Sequence, residues 1–158
     1  MENNNLSNDL RATSILFASM VIGVIVFVGI SIGVNLMMGP FKHDMQSAKI
    51  FLIVTIFLSA ICLFSAHIKY NRRVYAMQQS MSVLQERLNK YRSALIIYVA
   101  LTEGPAIFSI TGFLLIGDYR FLGITAILLV NMFIKRPSKS RFIEELQLDI
   151  NEQQGLES

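Results

Sequence analysis

Residues 93–116 read SALIIYVALTEGPAIFSITGFLLI, and this stretch decides the fold. It is apolar from Ser93 to Ile116 except for one charged residue, Glu103. A helix rising ~1.5 Å per residue needs about 20 such residues to cross a hydrocarbon core of ~30 Å. The run is therefore read as a membrane span, and its single acid becomes the first residue to explain.

Working outward, three more apolar runs appear, at about Thr13–Met38, Ala48–Ile68 and Tyr119–Ile134. Gly39-Pro40 and Gly117-Asp118 mark turns, and Pro137 stops the last run. The fourth run is short, and local thinning of the bilayer lets such a helix cross. Between the second and third runs lies Lys69–Arg92, polar but without Gly or Pro. Within it Val74, Met77, Met81, Leu84, Leu88, Tyr91 and then Leu95 alternate spacings of three and four. That spacing predicts a helical seam, so spans two and three are expected to extend beyond the membrane as a hairpin, joined near Gln78–Ser82. The seam packs within the hairpin or against a partner. The tail, 138–158, contains SRFIEELQLDI, an amphipathic pattern with Phe142, Ile143 and Leu146 on one side and acids on the other. It is expected on the membrane surface or on a neighbour. The fold class is all-α: one polytopic domain over 1–158, a four-transmembrane-helix bundle with a helical hairpin at 69–92.

Composition agrees. The chain has 158 residues, of which 53% are hydrophobic, against roughly 45–50% in soluble domains even with glycine counted. Its net charge of +3 is not read as a nucleic-acid surface, because the basic residues flank the apolar runs. Arg11, Lys69, Arg72, Arg73, Arg87, Lys90, Arg92, Lys135, Arg136, Lys139 and Arg141 fall at one end of a four-span bundle, and only Lys42, Lys49 and Arg120 at the other. By the positive-inside rule both termini and the hairpin are cytoplasmic, with the chain in the cell's inner (cytoplasmic) membrane. Met1–Ala12 is polar and the run after it exceeds an h-region of ~7–15 residues, so the first span is expected to be kept as an anchor. Cys62 is a lone small residue in an apolar run and has no intramolecular disulfide partner. His43 and Asp44 are almost a bilayer away from His67, so no metal site is expected. No phosphate-binding loop, nucleophile elbow or paired Cys-x-x-Cys is present. No cofactor and no enzymatic activity are expected.

Glu103 lies about ten residues into its span, or ~15 Å by helical rise, near the middle of the bilayer. A carboxylate there costs at least ~2.5 kcal/mol, so the neutral acid is expected. Depth arithmetic places Ser59 of span two and Thr125 of span four at the same height, with no cation at that level. Gly104-Pro105 follows, and the proline removes a backbone donor and disturbs the preceding turn. Such a combination builds ion or proton sites, or it is a neutral acid bonded across helices to lock the bundle. In span one, Gly29 and Gly33 form a G-x-x-x-G pair suited to close helix approach.

The Arg92–Leu115 stretch, with its ALTEGPAIF core, resembles the acid-bearing helix of the rotor-ring c subunit of ion-translocating ATPases. The resemblance covers that one helix, and it implies that the family's proton- or sodium-binding carboxylate falls on Glu103. The whole chain is similar to a group of small bacterial four-span membrane proteins with the same acidic third helix and an Arg-Pro tail. The expected role is a non-enzymatic accessory or structural component of a membrane assembly. That component would be embedded in lipid and joined to copies of itself or to other membrane subunits. The alternative is an oligomeric proton- or ion-linked transporter component that uses Glu103.

Overall fold

The structure is a computed structural model and describes residues 3–40, 45–79 and 84–146. Five helices follow in order: α1 (Asn3–Met38), α2 (Met45–Gln78), α3 (Leu84–Ile116), α4 (Arg120–Ile134) and α5 (Lys139–Leu146). There is no strand among the described residues. Three helices are long and apolar enough to cross a membrane, over Arg11–Met38, Ala48–Gln78 and Glu86–Ile116. The fourth, with 15 residues, extends about 22 Å. The chain is an all-helical membrane protein.

α3 is the central helix and packs against α1, α2 and α4. Its inward stripe, Val99, Thr102, Ala106, Ser109, Ile110 and Phe113, is buried, the spacing of one helical face. The other helices also carry many large apolar groups on their outer faces. On α2, Phe57 and Phe64 are 66% and 70% exposed, and Ile53, Ile56 and Ile61 accompany them. A surface of that kind is stable against lipid and unstable in water.

Because lipid is as apolar as the helix faces, contact between spans rests on close packing. Gly112 provides it. A Cβ at that position would stand 2.8 Å from the rings of both Phe121 and Phe51. Phe51 in turn stacks on Phe108 at 4.8 Å between ring centroids and meets Phe121 edge-on at 5.8 Å. Gly112→Ala is expected to cost about 1–3 kcal/mol, the range for an overpacked core, read as a lowered unfolding midpoint in detergent. Gly29 and Gly33, the expected packing pair, have nothing within 4 Å of their Cβ positions. Within one chain they bring no helix close.

Sequence also explains how α3 ends. Gly117 adopts φ +76°, a conformation that costs an L side chain roughly 1–2 kcal/mol. Its N–H donates to the Phe113 carbonyl at 2.7 Å. Asn35, from the far end of α1, donates its side-chain amide to the Phe113 carbonyl at 2.9 Å and to the Leu114 carbonyl at 3.4 Å. Orphan carbonyls at a helix terminus need such donors, and this one ties α1 to α3.

At the opposite end, α2 and α3 run on past the apolar stretches as an antiparallel pair. Met77, Leu88, Tyr91 and Leu95 are all at most 2% exposed and belong to one core cluster, with Val74 packed against it. At these positions the seam faces inward and packs within the chain. The side chains of Met81 and Leu84 lie outside the described residues, as does the connection at 80–83.

Candidate functional site

Glu103 is half-buried. It makes no hydrogen bond or ion pair among the described residues. The reason is its angle around α3. α2 contacts α3 through Tyr70 on Tyr98 (5.6 Å) and Phe51 on Phe108 (4.8 Å). Those two α3 residues stand five positions before and after Glu103, each about 140° away at 100° per residue. Glu103 therefore points directly away from α2, with the thickness of a helix between it and Ser59. Ser59 keeps a buried Oγ without a partner among the described residues. Thr125 donates to the Phe121 carbonyl of its own helix at 3.1 Å. Neither hydroxyl expected at the height of Glu103 bonds to it.

Other hydroxyls in the apolar helices are also spent locally. Thr55 donates to the Phe51 carbonyl and Thr102 to the Tyr98 carbonyl, both at 2.8 Å, the i−4 bond that satisfies a hydroxyl where water is absent. Pro105 does not break α3, which is helical from Leu84 to Ile116. It removes the N–H that would have reached the Leu101 carbonyl, two residues before Glu103. Gly104 is exposed and Pro105 buried, so Glu103 sits at the border of the core stripe. Beyond it the outward stripe of Ile96, Ala100, Gly104 and Ile107 begins, and all four are exposed.

A second polar cluster closes the end of the hairpin, and the sequence reading did not single it out. α5 folds back on the chain's own α2, so the described part of the tail lies on the hairpin. Phe142 is fully buried in the core cluster, edge-on to Tyr91 at 5.1 Å between centroids. Glu145, assigned by its pattern to the outer side, turns inward. Its carboxylate accepts from the Tyr70 hydroxyl and from Arg141 Nε at 3.0 Å, with Lys135 Nζ at 3.9 Å. Gln78 Nε2 donates to the Glu145 carbonyl at 2.6 Å and caps the end of α5. Lys135 also lies 4.4 Å over the Tyr70 ring, a cation–π contact. Burial pulls the Lys135 ammonium below the ordinary lysine range, and Glu145 works against that shift. The Arg141-x-x-x-Glu145 spacing, an i,i+4 pair, was the signal available in the sequence.

Two tyrosines in this cluster have opposite expected behaviour. Tyr70 donates a bond to a carboxylate, whereas the buried Tyr91 hydroxyl, near Tyr70 and Glu145, meets neither at full hydrogen-bonding geometry. Tyr70→Phe is expected to destabilise by about 1.5–3 kcal/mol, and Tyr91→Phe to be neutral or stabilising. Unfolding midpoints of the two variants compared with the parent check this; equal losses would contradict the assignment.

No family model, curated protein or solved structure matches this chain, so the functional reading rests on the geometry of these residues.

Proposed function

We propose that the chain is a non-enzymatic subunit of a larger membrane assembly. In this reading it crosses a bacterial inner membrane four times, with both termini and the α2–α3 hairpin in the cytoplasm. Glu103 meets a neighbouring copy or another membrane subunit. The asymmetry of Lys and Arg between the two ends supports the orientation. Exposed Ile127, Val130, Phe133 and Ile134 on α4 support a fourth crossing, with the bilayer thinned to match its length.

One observation carries the proposal: Glu103 has no partner among the described residues and borders an exposed apolar stripe. An acid at mid-membrane is costly, and a bond across the bundle would offset that cost. With the hydroxyls of Ser59 and Thr125 directed elsewhere, a neighbouring subunit is the natural source of a partner. The seam has its own intramolecular partners, so the proposed interface is the Glu103 flank of α3. A second reading draws on the same residue. A carboxyl group without a fixed partner can exchange a proton, as a proton- or ion-linked transporter component of an oligomer requires.

Disulfide cross-linking tests the interface. In a Cys62→Ser background, Ile107→Cys places a thiol one turn from Glu103, on the exposed stripe. Oxidation in native membranes should give a cross-linked product, to a second copy or to another subunit. A cysteine at Phe57, on α2 away from Glu103, should not cross-link. Equal cross-linking at both positions, or none at Ile107→Cys, counts against the proposal. For the second reading, Glu103→Gln in proteoliposomes should abolish proton flux while leaving the cross-link in place.

A further inference from the structure

Where α2 and α3 leave their apolar stretches, they enclose a recess of 280 Å³ lined by Arg73, Ala76, Met77, Lys90 and Ser93. Arg73 on α2 donates from Nη1 to Ser93 Oγ on α3 at 3.3 Å, and it has no acidic partner among the described residues. Lys90 lies one turn before Ser93 on the same face of α3. Its ammonium meets Glu86 Oε1 at 2.7 Å, which leaves two of its three N–H donors for other acceptors. Two cations and a hydroxyl thus converge on one small space with an apolar floor of Ala76 and buried Met77.

The height of the recess matters as much as its charge. Ser93 is the first residue of the apolar stretch of α3, so the recess opens at the boundary between water and hydrocarbon. From Ser93 the exposed stripe of α3 continues through Ile96 and Ala100, offering an apolar surface along the membrane normal. A head that needs cations above and a tail that needs hydrocarbon below describe a phospholipid. Inorganic phosphate would use only the upper half. Basic pockets between membrane helices recognise anionic headgroups in this way.

We propose that this recess binds the phosphate group of an anionic phospholipid, with Arg73 and Lys90 on the phosphate oxygens, Ser93 as a further donor and an acyl chain along the outer stripe of α3. The headgroup recess stands apart from Glu103, the acyl chain follows the stripe only as far as Ala100, short of the flank at Ile107 assigned to a neighbouring subunit, and the site survives if the assembly reading fails. Glu86 competes with the phosphate for Lys90, so Glu86→Gln strengthens binding.

The test uses the full chain in phosphatidylcholine vesicles with spin-labelled phosphatidylglycerol or spin-labelled phosphatidylcholine, measuring the motionally restricted lipid fraction. Phosphatidylglycerol should be preferred. Arg73→Gln and Lys90→Gln should each lower the preference about five-fold, the equivalent of about 1 kcal/mol per cation. Glu86→Gln should raise it, and this variant reads the site in a chain that keeps both cations. Arg120→Gln, beside Asp118 at the other end of α3, should change nothing. Equal restricted fractions for the two lipids, or a preference untouched in the Arg73→Gln/Lys90→Gln double variant, would overturn the proposal. Displacement of the labelled lipid by inorganic phosphate would overturn its assignment to lipid.

Discussion

Replacing Phe142 with alanine is expected to detach α5 from the hairpin. The ring is fully buried and faces Tyr91, and truncating a buried phenylalanine costs roughly 3–5 kcal/mol. A helix of eight residues has little stability of its own, because isolated helices shorter than ~12–15 residues are marginal in water. Its order derives from this contact and from the bonds of Glu145. Amide hydrogen exchange over 139–146 should change from protected to nearly free, while α1 to α4 keep their protection. Undiminished protection in α5 would mean that the polar bonds alone hold it.

Glu145→Ala should be nearly as damaging by another route. The carboxylate accepts from Tyr70 and Arg141 and is ion-paired with Lys135, and the side chains of Glu145 and Lys135 are 17% and 14% exposed. Removing an acid from such a site leaves cations without their counter-charge, at a cost of about 3 kcal/mol. Glu145→Gln, which keeps an acceptor for Tyr70, should lose less. A second readout separates this from simple loss of packing. Glu145 holds the Lys135 ammonium up against the effect of burial. Without that acid more of Lys135 is the neutral, nucleophilic amine at a given pH. An amine-directed reagent at mildly alkaline pH should label Lys135 faster in Glu145→Gln, which keeps the packing of α5, than in the parent chain. If the two label alike, the charge of Glu145 is not what sets the state of Lys135.

The helices were legible because their signals are local. Apolar length marks the three long segments, Gly117 marks the end of α3, and the three-and-four spacing from Val74 to Leu95 marks the hairpin. What could not be read was azimuth. Counting residues gives a height for Glu103, Ser59 and Thr125 but no direction for any of them. Their directions depend on which helices surround α3 and at what angles, and that is fixed by contacts such as Phe51 on Phe108 and Phe121 against Gly112. The same gap explains the glycines: Gly29 and Gly33 carry the familiar spacing, yet Gly112, with no glycine at that spacing, sits where three helices meet. The pattern of the tail placed Glu145 with the other acids on the outside. An amphipathic count records polarity and not pairing, and Lys135 with Arg141 reverses the outcome.

Glu103 remains the centre of the account, and its most direct test is the mass of the protein particle in native lipid. The parent chain and two variants, Glu103→Gln and Glu103→Leu, would be extracted from membranes with a lipid-retaining polymer and weighed by light scattering. Glutamine keeps the hydrogen bonding of a neutral acid and leucine removes it. The parent and Glu103→Gln should form particles containing more than one chain, and Glu103→Leu should fall to a single chain. A single-chain parent particle, or one mass for all three, would contradict the claim that Glu103 is completed by a neighbour.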